Sequence, residues 1–354
     1  MTSKEFLFQY LNTASPTGFE ASGQAIWLDY IKPHVDSYFT DQYGTAVGVL
    51  NPDHPFKVVI EAHADEISWF VHYITPEGYI YVRRNGGSDH MIAPSMRVNI
   101  HTDKGVVDGV FGWPAIHVRK SGKEEAPTQQ SIFIDVGARS KEEVEEMGVH
   151  VGCVITFKDQ LSELNGAFYT GRALDNRIGG YMIAEVLRRI RSAGKQLPFG
   201  LYVVNAVQEE IGLRGAQMIA ARIKPQVALI TDVCHDTTAP MYNKIESGEQ
   251  VAGKGPVLTY GAAVHKKLLD LLIDQAKRSG ISFQRAAASR STGTDTDAFA
   301  YSNEGVPAAL ISLPLKYMHT TVETASKQDI EDVIQLMHDF LVDFDPSFDF
   351  RYIK

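Results

Sequence analysis

Apolar positions recur along this chain in two rhythms. Near the start, Phe6, Leu7, Tyr10 and Leu11 follow Ser3 at helical spacing, which predicts a capped amphipathic helix. Ser15-Pro16-Thr17-Gly18 reads as a loop, and a second helix carrying Ala25, Ile26 and Tyr30 is expected to stop near Pro33. Strands are expected at residues 35–40 and 45–50, joined through Tyr43-Gly44. Lys57–His63 is apolar almost without alternation, the pattern of a central strand buried on both faces. From Phe70 to Phe157 the rhythm shortens. Segments 79–82, 98–100 and 132–134 alternate between turns at Pro76-Glu77-Gly78, Asn85-Gly86-Gly87 and Lys104-Gly105, which predicts a small β-barrel or sandwich. One helix interrupts it, with a capping box at Ser140 and Glu143 and a stop at Gly148.

The longer rhythm resumes near Asn165. Helices are expected at 176–193 (closed by Gly194), 214–221, 266–279 and 327–344, and strands at 200–206, 227–232 and 306–312. Repeated strand–helix units imply an α/β fold with a mostly parallel sheet covered on both faces. The expected organisation is a discontinuous α/β domain, 1–68 and 164–354, split by an inserted small β-barrel-like domain at 69–163.

Composition narrows the function classes. Hydrophobic residues make up 44% and charged residues 22% of the 354 positions, the mix of a globular protein. The net charge of −9 argues against nucleic acid as a partner, since phosphate binding wants a basic face. The basic run Arg119-Lys120-Ser121-Gly122-Lys123 is followed at once by Glu124 and Glu125 and reads as a solvated loop. Cys153 and Cys234 are far apart, which excludes a disulfide framework and a cysteine metal motif. No signal-peptide pattern opens the chain and no apolar run approaches membrane-spanning length, so a cytoplasmic protein with no membrane partner is expected.

The candidate chemistry gathers at expected strand ends. The apolar run 201–204 leads to the adjacent carboxylates Glu209 and Glu210, followed by Gly212. Neighbouring residues there can point in different directions, one to a metal and the other to a water. His63-Ala64-Asp65 ends the strand before it, and Asp65 is placed to accept a hydrogen bond from the His63 imidazole and fix its tautomer. Asp175 opens a helix, Asp232 ends a strand, and His319 follows another strand shortly. Singly, Asp175 fits a helix N-cap, Asp232 a turn former, and the histidines ordinary core or surface positions. Together, two His, two Asp and a Glu pair beyond the carboxyl ends of one sheet form a crevice for ligands. Nitrogen and carboxylate donors suit zinc and its neighbours. Five ligands exceed one tetrahedral zinc but suit two metals sharing a bridging carboxylate.

At this point the sequence resembles the TET-type glutamyl and deblocking aminopeptidases, dinuclear metallopeptidases whose members are sometimes labelled endoglucanases. The motifs that carry the resemblance span nearly the whole chain: Ser15-Pro-Thr-Gly-Phe-Glu20, His63-Ala-Asp65, Gly171-Arg-Ala-Leu-Asp-Asn-Arg177, Gln208-Glu-Glu-Ile-Gly212, Thr231-Asp232, Gly253-Lys-Gly-Pro256, Gly293-Thr-Asp-Thr-Asp-Ala298 and His319-Thr-Thr-Val-Glu323. The resemblance implies that Asp175 bridges two divalent ions, zinc or cobalt. His63 and Asp232 complete one site, Glu210 and His319 the other, with Glu209 as general base and Asp65 behind His63. It also implies a tetrahedral dodecamer in which the insert serves assembly and substrate access. Lys316, near where an Arg often precedes the Tyr-x-His of the family, departs from the pattern, as does Thr45 in place of a common Asn.

The expected function is removal of N-terminal residues from peptides. His235 and Cys234 are close to Asp232 but are not needed in a complete ligand set. The free substrate amine is expected near Glu209 and Glu210, with Asp295 or Asp297 approaching through the Gly293 loop. The rivals are a deacylase of acylated amino acids, a metal-stabilised scaffold, and a glycoside hydrolase. The last would leave the histidines idle. The position of the insert disfavours the deacylase. Trp69, Phe111 and Trp113 suit either a core or an interface.

Overall fold

In the computed structural model, which describes residues 1–119 and 125–353, the strand Lys57–His63 lies in the middle of a large sheet. Gly200–Ala206 flanks it on one side and Val227–His235 on the other, both parallel to it. Val227–His235 pairs in parallel with Ala308–Lys316. These four strands are almost wholly buried, which explains their runs of apolar residues without alternation. Antiparallel strands flank this parallel centre, Ala46–Leu50 on one side and Glu323–Ser326 on the other. Helix Leu174–Ser192 packs on Lys57–His63 and against Lys327–Asp343. The approach is close enough that a methyl on Gly179 would fall 2.8 Å from the Ala62 Cβ.

Six strands between Ser68 and Phe157 close into an antiparallel barrel, as the short alternating segments predict. Trp69 and Phe111 are core residues of this barrel, their rings 5.8 Å apart and inclined by 65°. Trp113 is half-buried. The first barrel strand, Ser68–Ile74, leaves the sheet only a few residues beyond His63.

Several elements depart from expectation. Thr2, not Ser3, caps the first helix, in a capping box with Glu5. Ser140 caps Lys141–Glu146, but the Glu143 carboxylate accepts from Arg139 N, so only half of the expected box forms. The strand holding Asp232 does not end there. Val233, Cys234 and His235 continue it by pairing with Leu313, Pro314 and Leu315. Val257–Tyr260, Gln284–Ala287 and Glu323–Ser326 are short strands that the hydrophobic pattern misses. Of the basic run, residues 120–124 lie outside the described residues. Among the described residues no helix is long and apolar enough to cross a membrane. Cys153 and Cys234 are both free thiols.

Candidate active site

The expected site residues converge at the carboxyl ends of the parallel strands. His63 is the last residue of its strand and is buried. Its Nε2 lies 3.2 Å from Asp175 Oδ1, 3.8 Å from Glu209 Oε2 and 3.9 Å from Asp232 Oδ1. His319 approaches from the opposite side, its Nε2 3.3 Å from Asp175 Oδ2 and 3.4 Å from Glu210 Oε1. Asp175 therefore offers one carboxylate oxygen to each imidazole. Donor atoms of His63, Asp175 and Glu210 all lie within 4.8 Å of one another.

Asp175 is not a helix N-cap. That position belongs to Ala173, and Asp175 and Asn176 have non-helical backbones at the helix start. Asn176 ties this corner to the sheet by donating from Nδ2 to the Thr231 carbonyl at 2.7 Å. The turn carrying the two glutamates is bent by left-handed backbone at Gln208 and Leu213, with Gly212 at φ 115°. The bend sends Glu209 towards His63 and Glu210 towards His319, as their adjacency suggests.

Asp65 does more than expected and does it differently. It lies beyond the strand, so alternation does not place it. The His63 Nδ1 faces the Asp65 backbone carbonyl at 3.2 Å and its carboxylate at 3.4 Å. The carboxylate accepts the backbone N–H groups of Glu209 at 3.0 Å and Glu210 at 3.2 Å, and the Thr17 hydroxyl at 2.9 Å. Sequence reasoning gives no role to Glu323. Its carboxylate accepts His319 N at 2.7 Å and Asp175 N at 3.0 Å, so one buried side chain fixes two site backbones. Glu66 likewise accepts Ser15 N at 2.8 Å and pairs with buried Arg172 and Arg177, the two arginines of the motif around Asp175.

The cavity over these residues has a volume of about 650 Å³. Val233, Cys234, His235, Leu213, Met318 and Asp297 also line it. No lysine or arginine does so among the described residues. Asp297 is anchored by the N–H groups of Thr292 and Gly293. Asp295 is buried beside Glu61 and does not line the cavity, but its charge acts on Glu209, and those of His63 and Asp232 act on it. Cys234 and His235 are lining residues, and the His235 Nδ1 is 3.3 Å from the Tyr242 hydroxyl.

The charge balance is uneven. Burial pushes Glu209 up to about 10, with His63 opposing the rise and Asp232 adding to it. Burial also raises Asp232 to about 7. Burial opposes a charge on His319, yet contacts with Asp175 and Glu210 push it up to about 11. Burial likewise opposes a charge on His63, and its bonds to Asp175 and Asp65 outweigh that and hold it well above the imidazole range. Burial would raise Asp175 too, but the two histidines hold it well below the carboxylate range. The protein thus gathers more buried carboxylates than it supplies cations to balance. Glu210 Oε1 is buried and makes no well-formed hydrogen bond, its neighbour being the His319 imidazole at 3.4 Å. A surplus of buried carboxylates with two imidazoles facing them fits divalent cations.

The architecture is that of TET-type peptidases. A TET aminopeptidase from a marine sediment archaeon, Thaumarchaeota archaeon SCGC AB-539-E09, superposes with a TM-score of 0.92 at 31% identity, over 97% of this chain and 96% of that one. The Pyrococcus horikoshii TET1 peptidase, described as assembling into a tetrahedron or a large octahedral shell, gives 0.85 at 28% identity over 97% and 100%. The lysyl aminopeptidase of Pyrococcus furiosus is 32% identical over 98% of this chain and 99% of its own. Residues 44–336 match the M42 glutamyl aminopeptidase family, and the chain belongs to that family.

Proposed function

We propose that this protein is a metal-dependent aminopeptidase that removes N-terminal residues from peptides. The observation that carries this reading is Asp175, with one carboxylate oxygen facing His63 and the other facing His319. A carboxylate so placed suits a bridge between two divalent ions, zinc or cobalt, with His63 and Asp232 on one side and Glu210 and His319 on the other. Such ions, when bound, supply acidification of a water and polarisation of a carbonyl. The remaining work falls to the chain. Glu209 reaches the same cavity with 11% of its side chain exposed; bound cations would offset the burial that keeps it protonated in their absence, and as a carboxylate it would take the proton of the attacking water. It then returns that proton to the leaving amine. Asp65 holds the Glu209 backbone, and with it the base, in register. Glu209 and Glu210 provide an anionic corner for the free substrate amine.

The reading extends to assembly and location. Neighbours described as a dodecamer and as a tetrahedron support a homo-oligomer of the tetrahedral dodecamer type, and to this the reading adds the cytoplasm as location and assembly and access as the work of the barrel region around residues 69–163. The decisive experiment is hydrolysis of aminoacyl-anilides by protein stripped with a chelator and then reloaded with zinc or cobalt. Activity should vanish on stripping and return on reloading. Full activity in stripped protein would overturn the metal-dependent reading. Light scattering tests the assembly, and fully active monomer at micromolar concentration would remove it.

A further inference from the structure

We propose that Gly87, in the connection after the barrel strand Ile80–Asn85, is a positioning residue that holds the His319 imidazole against its site. This rests on the reading of His319 as a metal ligand. His319 has two faces. Its Nε2 points at Asp175 and Glu210. Its other edge, with Nδ1 and Cε1, lies directly over Gly87. A methyl on Gly87 would fall 2.5 Å from Cε1 and nearer still to Nδ1, well inside van der Waals contact. The preceding residue makes a looser approach to the same side of the site. A methyl on Gly86 would lie 3.2 Å from the Cβ of Glu210. The Gly86-Gly87 turn therefore presses bare backbone on both residues assigned to one ion, His319 and Glu210.

Neither partner can step aside cheaply. The turn is pinned: Asn85 Nδ2 donates to the Thr17 carbonyl at 2.8 Å and to the Ser68 hydroxyl at 2.9 Å, and the Ser88 hydroxyl donates to the Ser68 carbonyl at 2.6 Å. The His319 backbone is pinned too. It sits at φ 62° and donates its N–H to Glu323 at 2.7 Å. What remains free is rotation of the imidazole, which is one-third exposed. Gly87 itself does not have a left-handed φ, so alanine costs nothing in backbone strain there. Its effect is confined to the clash, which turns the ring off its partners.

The test is titration of chelator-stripped protein with cobalt, followed by visible absorption and calorimetry, for wild type, Gly87→Ala and His319→Ala. Wild type should bind two equivalents. Gly87→Ala should weaken one of them tenfold or more and leave the other unchanged, copying His319→Ala. The Gly87→Ala/His319→Ala double variant should be no worse than His319→Ala alone, because the ring that the methyl strikes is gone. If Gly87→Ala is unstable without metal, the same double variant should recover the melting temperature of His319→Ala. Two equivalents bound as tightly by Gly87→Ala as by wild type would overturn the role of Gly87 and leave the metal site standing. A melting temperature that stays low in the double variant would also overturn it. A wild type that binds no cobalt would overturn it together with the ligand assignment.

Discussion

The Asp65 carboxylate accepts the backbone N–H of Glu209 at 3.0 Å. Its other oxygen takes the N–H of Glu210 and the Thr17 hydroxyl, so one side chain behind His63 sets the turn on which both glutamates ride. Asp65→Asn would turn an amide NH2 towards one of these donors. Rate should fall on the order of 10–100-fold, the usual scale for groups that orient metal ligands. The expected signature is a drop in kcat with two metal equivalents still bound. Unchanged kcat would refute the orienting role.

Glu209 and Glu210 are neighbours with opposite expected phenotypes. Glu209→Gln should bind metal normally and lose activity by at least about a hundredfold, the scale of a lost general base. Glu210→Gln should lose metal first, seen by metal analysis of the purified protein. Near-normal turnover in Glu209→Gln would show that the base lies elsewhere.

Glu66 bears on stability rather than chemistry. Its carboxylate faces buried Arg172 and Arg177. Removing one member of a buried ion pair leaves the other charge uncompensated and costs about 3–5 kcal/mol. Glu66→Ala should lower the urea midpoint accordingly. A loss below about 1 kcal/mol would mean that water replaces the carboxylate at no great cost.

Glu20 gives a pH-dependent stability. Burial, then the nearby Asp65 charge, pushes its carboxyl up to about 8 in the folded, metal-free protein. A carboxyl whose folded pKa is raised contributes its stability below the unfolded value of about 4.3 and loses it as pH climbs to about 8. Glu20→Gln keeps an oxygen for the Gly18 and Gln208 N–H groups but never ionises. Relative to wild type it should gain stability between pH 5 and pH 9, on the order of 1–3 kcal/mol. Urea unfolding of stripped protein at the two pH values checks this, and a gain of equal size at both would sink it.

Substrate choice follows from the cavity charges. An acetylated N-terminus removes the cation that Glu209 and Glu210 are expected to meet, so a free peptide should be trimmed stepwise and its acetylated twin should not. No lysine or arginine lines the cavity among the described residues, and Asp297 faces it. An acidic first residue would meet like charge there, so glutamyl-anilide should react at least tenfold more slowly than leucyl-anilide, a difference of about 1.4 kcal/mol. Mass spectrometry of the peptide pair and anilide kinetics read the two effects. Equal cleavage of both peptides, internal cuts, or a glutamyl preference would contradict this picture.

Much of the architecture is legible in the chain because buried parallel strands leave unbroken apolar runs. Lys57–His63 and Gly200–Ala206 appear where expected for that reason. The end of the Asp232 strand is misplaced because Val233-Cys234-His235 continue it only through pairing with a distant segment. Glu323–Ser326 is missed because it is short, half polar and defined by its partners. The same limit applies at the site. His63, Asp175, Glu209, Glu210, Asp232 and His319 announce themselves as ligand-type residues beyond strand ends. Glu323 and Gly87 do not, since their roles lie in which backbone or ring they touch, and no local pattern encodes that. Asp295 opens a helix that buries it beside Glu61, a placement that the Gly293 loop alone does not reveal.

The order in which the site residues leave the ribosome follows from where the barrel is spliced. His63 comes before the barrel and Asp175 after it, and Gly87 lies in the connection that follows the barrel strand Ile80–Asn85. His319 comes 256 residues after His63 (319 − 63), beyond the last of the four central strands to be made. Contacts so remote in sequence form late, because loop closure must come before they are rewarded. A growing chain therefore carries only fragments of the cluster until the sheet is nearly complete. On the proposed ligand set, a chain cut short before residue 319 lacks one of the two imidazoles that face Asp175.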